Sequence, residues 1–329
     1  MISDILNNCR RSIRLRGLRA TLVTLAHVAR WEFARGIARS DVLKRKIHDY
    51  EMYLSLREPG ISETLNVFGF REPEHVHILR ESVRAGMAVL DIGGNIGYYT
   101  IMLAKLVGSE GNVHAVEPIP ANCELIRRNV ALNKMDEIVT VEEMAVSDQS
   151  GTREIMLSKQ SNLHGFHAKK GEEIKERLQL EDEALPVRTE ELGYFLKSER
   201  LPEFIRMDVE GHEVEILTSL GRLAAENAWY PSVLCETHWE QYDPETHDPR
   251  PAFRQLFDLG YSVSWAATQR EPAPEFKKRA LEPVKMVFDG RKNLGLYREV
   301  TANEFLELVM APDQVRCVLL ERKGSPKER

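Results

Sequence analysis

Apolar and polar positions along the chain follow two alternating periods. Short, largely apolar runs of the length expected for buried strands occur at 87–92, 112–117, 138–146, 204–208, 232–236, 260–266 and 294–298. Between them, apolar residues that recur every three to four positions predict helices at 97–107, 120–132, 212–224 and 251–258. Strands that alternate with helices of this length predict a doubly wound α/β fold with a mainly parallel sheet.

The N-terminal segment has a different pattern. Apolar residues recur at helical spacing among many arginines, at Leu15, Leu18, Leu22, Leu25 and Trp31. This pattern predicts a basic amphipathic helical extension over 1–49, ahead of one large domain over 50–329. Because the apolar face is modest, packing on that domain or on a second subunit, as in a homo-oligomer, is favoured over a weak contact with an anionic membrane surface.

One stretch interrupts the alternation of strands and helices. Residues 158–186 are polar, charged and weakly periodic. Connections of that length inside a domain are usually functional loops, so we predict a lid or a substrate loop at about 158–186.

Composition narrows the class of protein. The 329 residues are 43% hydrophobic and 29% charged, which is typical of a globular protein with a sizeable core. The net charge of −6 disfavours nucleic acid as a partner. The four cysteines are widely scattered and no apolar run is long enough to span a bilayer, so we expect a cytoplasmic protein without disulfide bonds.

A glycine-rich turn follows the strand at 87–92, in the stretch "LDIGGNIGYYT" from Leu90 to Thr100. A P-loop needs a lysine after its glycines, and none follows here. A dinucleotide fingerprint needs glycine at the positions that Asn95 and Tyr98 occupy, and a tyrosine at the third position opposes close packing of the helix on the strand.

What remains is an acid at the strand end followed by small or turn-tolerant residues. This arrangement suits S-adenosylmethionine (SAM), whose amino-acid end can meet Asp91, directly or through water, and the amides from Gly93 to Gly97. Glu117 ends the next strand, where a carboxylate can accept both hydroxyl groups of an adenosine ribose. NAD-dependent enzymes use the same contact, so an NAD-dependent oxidoreductase stays open as an alternative.

Acidic residues and a histidine follow two later strands. Asp208 and Glu210 leave one strand in "RMDVEGHEVEIL", and Glu236 and His238 end the next in "VLCETHWE". Because ligands lie beyond the carboxyl ends of parallel strands, these residues are predicted to line the catalytic rim. His238 is the candidate general base, with a role as a core histidine nearly as favoured, and Asp208 with Glu236 could instead hold Mg²⁺.

At these residues the sequence resembles the FkbM family of SAM-dependent methyltransferases. The motifs "VLDIGGNIGYYT", "VHAVEPIPANCELIRRNVALN", "EEMAVSDQSG", "FIRMDVEGHEVEIL" and "VLCETH" carry the resemblance over roughly residues 50–240. It implies the class I, Rossmann-like methyltransferase fold, with a seven-stranded sheet whose last strand is reversed. The SAM-binding residues that it implies are Asp91, Gly93, Gly94, Asn95, Gly97, Glu117, Met144, Ala145 and Asp208, with Gly94 in place of the usual alanine.

The resemblance also implies an activity. Family members methylate hydroxyl groups of sugars, glycans and polyketide-type natural products, so a small-molecule or glycan hydroxyl acceptor is expected. Asp208, Glu210, Glu236 and His238 would line the acceptor site, and "SNLHGF" would provide a substrate loop with Ser161, Asn162 and His164. A catalytically silent SAM-binding module is the third hypothesis.

Overall fold

The computed structural model describes residues 2–36, 40–57, 60–158, 165–166 and 180–322. The chain divides into two units, Met1–Arg71 and Glu72–Arg329.

The smaller unit combines helices with a hairpin. In chain order its elements are α1 (Ile2–Gly36), β1 (Val42–Ile47), β2 (Tyr50–Ser55) and α2 (Ile61–Phe68). α1 is interrupted at Gly17, whose φ of +83° lies outside the helical region. β1 and β2 pair antiparallel, and α1 packs against α2 with the Trp31 side chain buried. The helix that the sequence predicts in the N-terminal extension is therefore present.

The larger unit is built around one large central sheet. From one edge to the other its strands are β5 (Val139–Glu143), β4 (Asn112–Glu117), β3 (Ala88–Ile92), β9 (Phe204–Met207), β10 (Ser232–Glu236), β14 (Val315–Arg322), β11 (Tyr261–Thr268), β13 (Asn293–Tyr297) and β12 (Lys285–Phe288). Within the described ranges this sheet has nine strands, not the seven predicted, because β13 and β12 extend it beyond β11.

The strand directions match a mainly parallel sheet. The pairs from β5 to β10 are all parallel, whereas β14 runs antiparallel to both β10 and β11. The sequence patterns missed β14, which lies between β10 and β11 although it follows both in the chain. Its position could not be read from the local pattern, since only long-range pairing decides where a late strand inserts.

Helices cover the sheet and form the core with it. They are α3 (Pro73–Ser82), α4 (Tyr98–Val107), α5 (Pro120–Leu132), α6 (Glu213–Asn227), α7 (Arg250–Asp258), α8 (Pro274–Lys278) and α9 (Ala302–Leu308). α4 and α5 pack on β3 and β4, while side chains of α6, α7 and α9 share a hydrophobic cluster with Leu90 and Ile92 of β3. None of the helices in the described part of the chain is long and apolar enough to cross a membrane.

A small second sheet lies beside the region predicted to be a loop. Its strands are β6 (Ala145–Ser147), β8 (Leu180–Glu191) and β7 (Gly151–Ser158), in that order across the sheet. The apolar run predicted at 138–146 is thus two strands, β5 and β6, in different sheets. Residues 180–186, predicted as the end of a loop, belong to β8, because they pair with β7.

Candidate functional site

The glycine loop joins β3 to α4 and is held in place by its backbone. Gly93 has a φ of +82° and lies so close to β9 that a Cβ atom there would be 2.0 Å from the backbone oxygen of Asp208. Asn95 and Gly97 also have positive φ, of +48° and +87°, and Gly97 precedes the first turn of α4. These positions turn the chain sharply at the carboxyl end of the sheet, and Gly93 has no room for a side chain.

Glu117, at the end of β4, supports this loop. One of its oxygens accepts a hydrogen bond from the backbone N–H of Asn95 at 2.8 Å. The other accepts from the backbone N–H of Ile119 at 3.0 Å and from the Asn122 amide at 3.2 Å. Burial raises the pKa of Glu117 to about 7, against the effect of these hydrogen bonds. This carboxylate therefore ties the loop to the end of β4, and its predicted contact with a ribose stays a prediction.

Asp91 is fully buried and pairs with a residue that the sequence patterns did not single out. Its carboxylate accepts a hydrogen bond from the Thr100 hydroxyl at 2.7 Å, and Arg206 of β9 lies 3.3 Å away. Burial raises the pKa of Asp91. The Asp91 side chain therefore stabilises the buried side of the loop through Thr100 and Arg206. Its predicted contact with a ligand stays a prediction.

Arg206 joins the strand ends on either side of the loop. Its guanidinium donates to the backbone oxygen of Gly93 at 3.0 Å and to the Asp208 carboxylate at 2.8 Å, and it lies over the ring of Tyr99. Burial lowers the pKa of Arg206, but Asp208 and Asp91 raise it by more, so the group stays charged. In the sequence, the available signal for this role was a charged arginine inside the otherwise apolar run that forms β9.

At the ends of β9 and β10, His238 lies among carboxylates. Its Nδ1 donates to Glu213 at 2.6 Å, and its Nε2 is 3.5 Å from Glu210 and 3.7 Å from Asp208. Burial alone lowers the pKa of His238, but Glu210 and Glu213 raise it by more, to well above the usual range. Burial raises the pKa of Glu210 to about 8. The structure therefore places two other predicted rim residues, Asp208 and Glu210, beside the His238 imidazole.

Glu213 is the residue of this group that sequence reasoning missed. It begins α6, is completely buried, and also accepts hydrogen bonds from the Gly211 N–H at 3.0 Å and the Tyr242 hydroxyl at 3.3 Å. Burial raises the pKa of Glu213, but His238 lowers it by more, so the group is ionised. An acidic residue in the first turn of a helix usually interacts favourably with the helix dipole. Because this common role accounts for Glu213, the sequence did not indicate its contact with His238.

Glu236, the fourth predicted rim residue, belongs mainly to a neighbouring ionic cluster. Arg316 of β14 lies 3.2 Å from one of its oxygens, and His75 of α3 lies 3.7 Å from the other. Arg316 also pairs with Glu72 and Glu74, at 2.6 and 2.7 Å. Burial raises the pKa of Glu236. Residues more than 240 positions apart form this cluster, so no local pattern could predict it.

Among the residues that the structure describes, two groups of side chains have the spacing to hold a metal ion. Oxygen and nitrogen atoms of Asp208, Glu236 and His238 lie within 4.8 Å of one another, and so do those of Glu72, His75 and Glu236. Arg206 and Arg316 already pair with Asp208 and Glu236, and their positive charge opposes a cation at either place. Each group offers enough ligand atoms for a divalent ion, but the positive charge of the neighbouring arginine opposes binding of the ion.

The other predicted site residues are placed as follows. Met144 is buried between β5 and β6, and Ala145 is buried at the start of β6. Gly94 faces Ile126 and Thr100, where a Cβ would be 3.2 and 3.3 Å from the nearest atoms. Ser161, Asn162 and His164 lie outside the described residues.

Two sequence comparisons match parts of this chain to known proteins. The profile of the Methyltransferase FkbM domain matches residues 91–263. A protein-L-isoaspartate O-methyltransferase of Methanothrix thermoacetophila is 48% identical over 48 residues, which are 15% of this chain and 23% of that protein. The chain thus aligns with less than a quarter of that relative's length.

Solved structures of methyltransferases also align with the chain. The methyltransferase FkbM from Methylobacillus flagellatus KT aligns at 16% identity and a TM-score of 0.30, covering 55% of this chain and 45% of that one. M. jannaschii TYW2 in complex with AdoMet aligns at 12% identity and a TM-score of 0.41, covering 86% and 87%. Because the domain profile covers the glycine loop, the rim and more than half of the sequence, this chain belongs to the FkbM methyltransferase family.

Proposed function

We propose that this protein is a SAM-dependent O-methyltransferase that acts on a hydroxyl group of a sugar or glycan, or of a polyketide-type natural product. The observation that carries the proposal is the geometry of His238. Glu213 holds one ring nitrogen at 2.6 Å, and the other nitrogen faces the rim beside Asp208. β9, which ends at that rim, is the immediate neighbour of β3, which leads into the glycine loop.

The proposed cofactor site is the glycine loop with the strand ends around it. Loop amides from Gly93 to Gly97 would bind the amino-acid end of SAM, and Glu117 would accept the ribose hydroxyls through its remaining lone pairs. Met144 and Ala145, which follow the third parallel strand, would flank the adenine. When bound, SAM supplies an electrophilic methyl group and a positively charged sulfur.

The proposed role of His238 is to take the proton of the acceptor hydroxyl at Nε2 during in-line methyl transfer. Although burial lowers the pKa of His238, Glu210 and Glu213 raise it well above the usual range, which favours the protonated imidazole. A sulfonium nearby would lower that pKa by charge repulsion. Glu213 keeps Nδ1 protonated, which leaves Nε2 as the nitrogen that accepts the proton.

A groove lined mainly by polar and charged residues, none of them a predicted rim residue, supports a sugar or glycan acceptor over a polyketide. The groove has a volume of about 800 Å³ and runs along α6, where Glu215, Thr218 and Arg222 line it. His247, which also lines the groove, donates a hydrogen bond to the backbone oxygen of Gly211 at 2.8 Å. The hydroxyl groups of such an acceptor could form hydrogen bonds with these polar side chains. Ser161, Asn162 and His164 are proposed as further contacts to the acceptor.

Calorimetry and product analysis test the proposal. We expect SAM to bind and NAD not to bind, and we expect a methylated product from a panel of hydroxylated sugars. His238→Asn should lower turnover by about two to four orders of magnitude while leaving SAM affinity unchanged. The matched control, His77→Asn, changes a histidine on α3 away from the rim and should leave both unchanged.

Three results would contradict parts of the proposal. Binding of NAD without SAM would indicate an oxidoreductase. Binding of SAM without methyl transfer to any acceptor would indicate a silent SAM-binding module. The close spacing of Asp208, Glu236 and His238 would permit a Mg²⁺-dependent reaction, which the arginines paired with Asp208 and Glu236 disfavour. If the reaction depends on Mg²⁺, EDTA should abolish turnover and added Mg²⁺ should restore turnover. Full activity in EDTA would exclude a metal-dependent reaction.

A further inference from the structure

The two faces of α1 after Gly17 differ in what covers them. Thr21, Trp31 and Ala34 are buried on one face. The opposite face is exposed and largely apolar, with side chains at intervals of three or four residues at Leu18, Leu22, Leu25, Ala29 and Phe33. Leu18, Leu22 and Phe33 are 60%, 56% and 56% exposed. Scattered exposed leucines need no explanation, but a continuous stripe along four turns of one helix does.

The charge of this segment indicates what covers the stripe. Residues 1–40 contain eight arginines and two acids, a formal charge of +6, in a chain whose net charge is −6. In the described part of α1, Arg19 and Arg30 are exposed, and at helical spacing both project to one side of the stripe. Arg30 also donates a hydrogen bond to the backbone oxygen of Lys44 at 3.3 Å, and Arg35 is exposed but pairs with Glu32. Pairing of two copies along this face would bring two strongly positive segments together.

We propose that the exposed face of α1 lies on an anionic phospholipid surface. The apolar stripe would enter the boundary between headgroups and acyl chains, and the arginines would contact the lipid phosphates while their stems cover apolar surface. An apolar stripe flanked by basic residues is the arrangement that such interfacial helices use. This inference does not depend on the methyltransferase reaction.

The test is sedimentation of the full chain with vesicles of phosphatidylcholine alone and with an equal mixture of phosphatidylcholine and phosphatidylglycerol. We expect binding to the mixed vesicles that weakens as salt rises. The double variant Leu22→Ser, Phe33→Ser should lower the partition coefficient by about tenfold or more. Leu201→Ser, which changes a leucine 44% exposed outside α1, is the matched control and should bind as the unchanged protein does.

A second variant separates charge from apolar insertion. Arg19→Gln with Arg30→Gln should weaken binding to the mixed vesicles by about fivefold per arginine. All the changed side chains are exposed, so we expect unchanged thermal unfolding, which circular dichroism checks. Failure to bind mixed vesicles would overturn the proposal. If analytical ultracentrifugation then detects a dimer that the Leu22→Ser, Phe33→Ser variant dissociates, the face belongs to a second copy.

Discussion

The contact between Glu213 and His238 predicts a specific effect of Glu213→Gln. The change removes a buried charge 2.6 Å from Nδ1 of His238. The amide oxygen of the introduced glutamine can still accept the hydrogen bonds from His238 Nδ1 and from the Gly211 N–H. A hydrogen bond between charged groups stabilises by about 1.5–3 kcal/mol, and one pKa unit corresponds to about 1.4 kcal/mol. Because the carboxylate stabilises the protonated imidazole, its loss should lower the pKa of His238 by about one to two units.

The assay is an NMR titration of the imidazole nitrogens in the isotope-labelled protein. Glu215→Gln is the matched control, since Glu215 also lies in the first turn of α6 but faces His212 and His247. It should leave the titration of His238 unchanged. An unchanged or higher pKa of His238 in Glu213→Gln would refute the reasoning.

The kinetic consequence distinguishes a positioning role from a purely structural one. His238 acts as a base only when it is neutral, so the wild-type rate should rise with pH above the usual histidine range. In Glu213→Gln the rising limb should move to lower pH, and the plateau should fall by roughly tenfold because a weaker base removes the proton less efficiently. A lower plateau with an unmoved limb would assign Glu213 a structural role only.

Three further predictions concern the loop and the rim. Glu117→Ala should weaken SAM binding by about 1–3 kcal/mol in calorimetry, and wild-type affinity would remove this carboxylate from the cofactor site. Gly93→Ala should destabilise the fold by about 2–4 kcal/mol in chemical denaturation, because its Cβ would meet the backbone oxygen of Asp208 at 2.0 Å. Gly94→Ala, whose nearest contacts are side-chain atoms at 3.2 Å or more, should cost less than about 1 kcal/mol. Glu210→Gln should raise the free energy of unfolding at pH 8 by about 1–3 kcal/mol, an effect absent near pH 4. Because the pKa of Glu210 is about 8 in the folded protein and lower in the unfolded chain, the folded protein loses stability as pH rises between these two pKa values. If Glu210→Gln stabilised the protein equally at pH 4 and pH 8, the raised pKa of Glu210 would be contradicted.

Much of the architecture could be predicted from local patterns. β4, β10 and α5 begin and end at the predicted residues, because apolar runs and helical spacing mark them directly. β7, β8, β12 and β14 were missed. β12 is largely exposed and β7 is mostly polar or half-buried, so neither has a clear apolar signature.

The candidate site likewise has a part that the sequence indicates and a part that only the tertiary structure shows. The sequence alone determined the glycine loop, the acid that ends β4 and the acids and histidine at the ends of β9 and β10, since residue type and position after a strand suffice for these. Only the tertiary structure decided their partners: Arg206 beneath the loop, Glu213 on His238, and Arg316 on Glu236. Each of these pairs joins different elements, and its stability depends on burial and distance, which no local pattern contains.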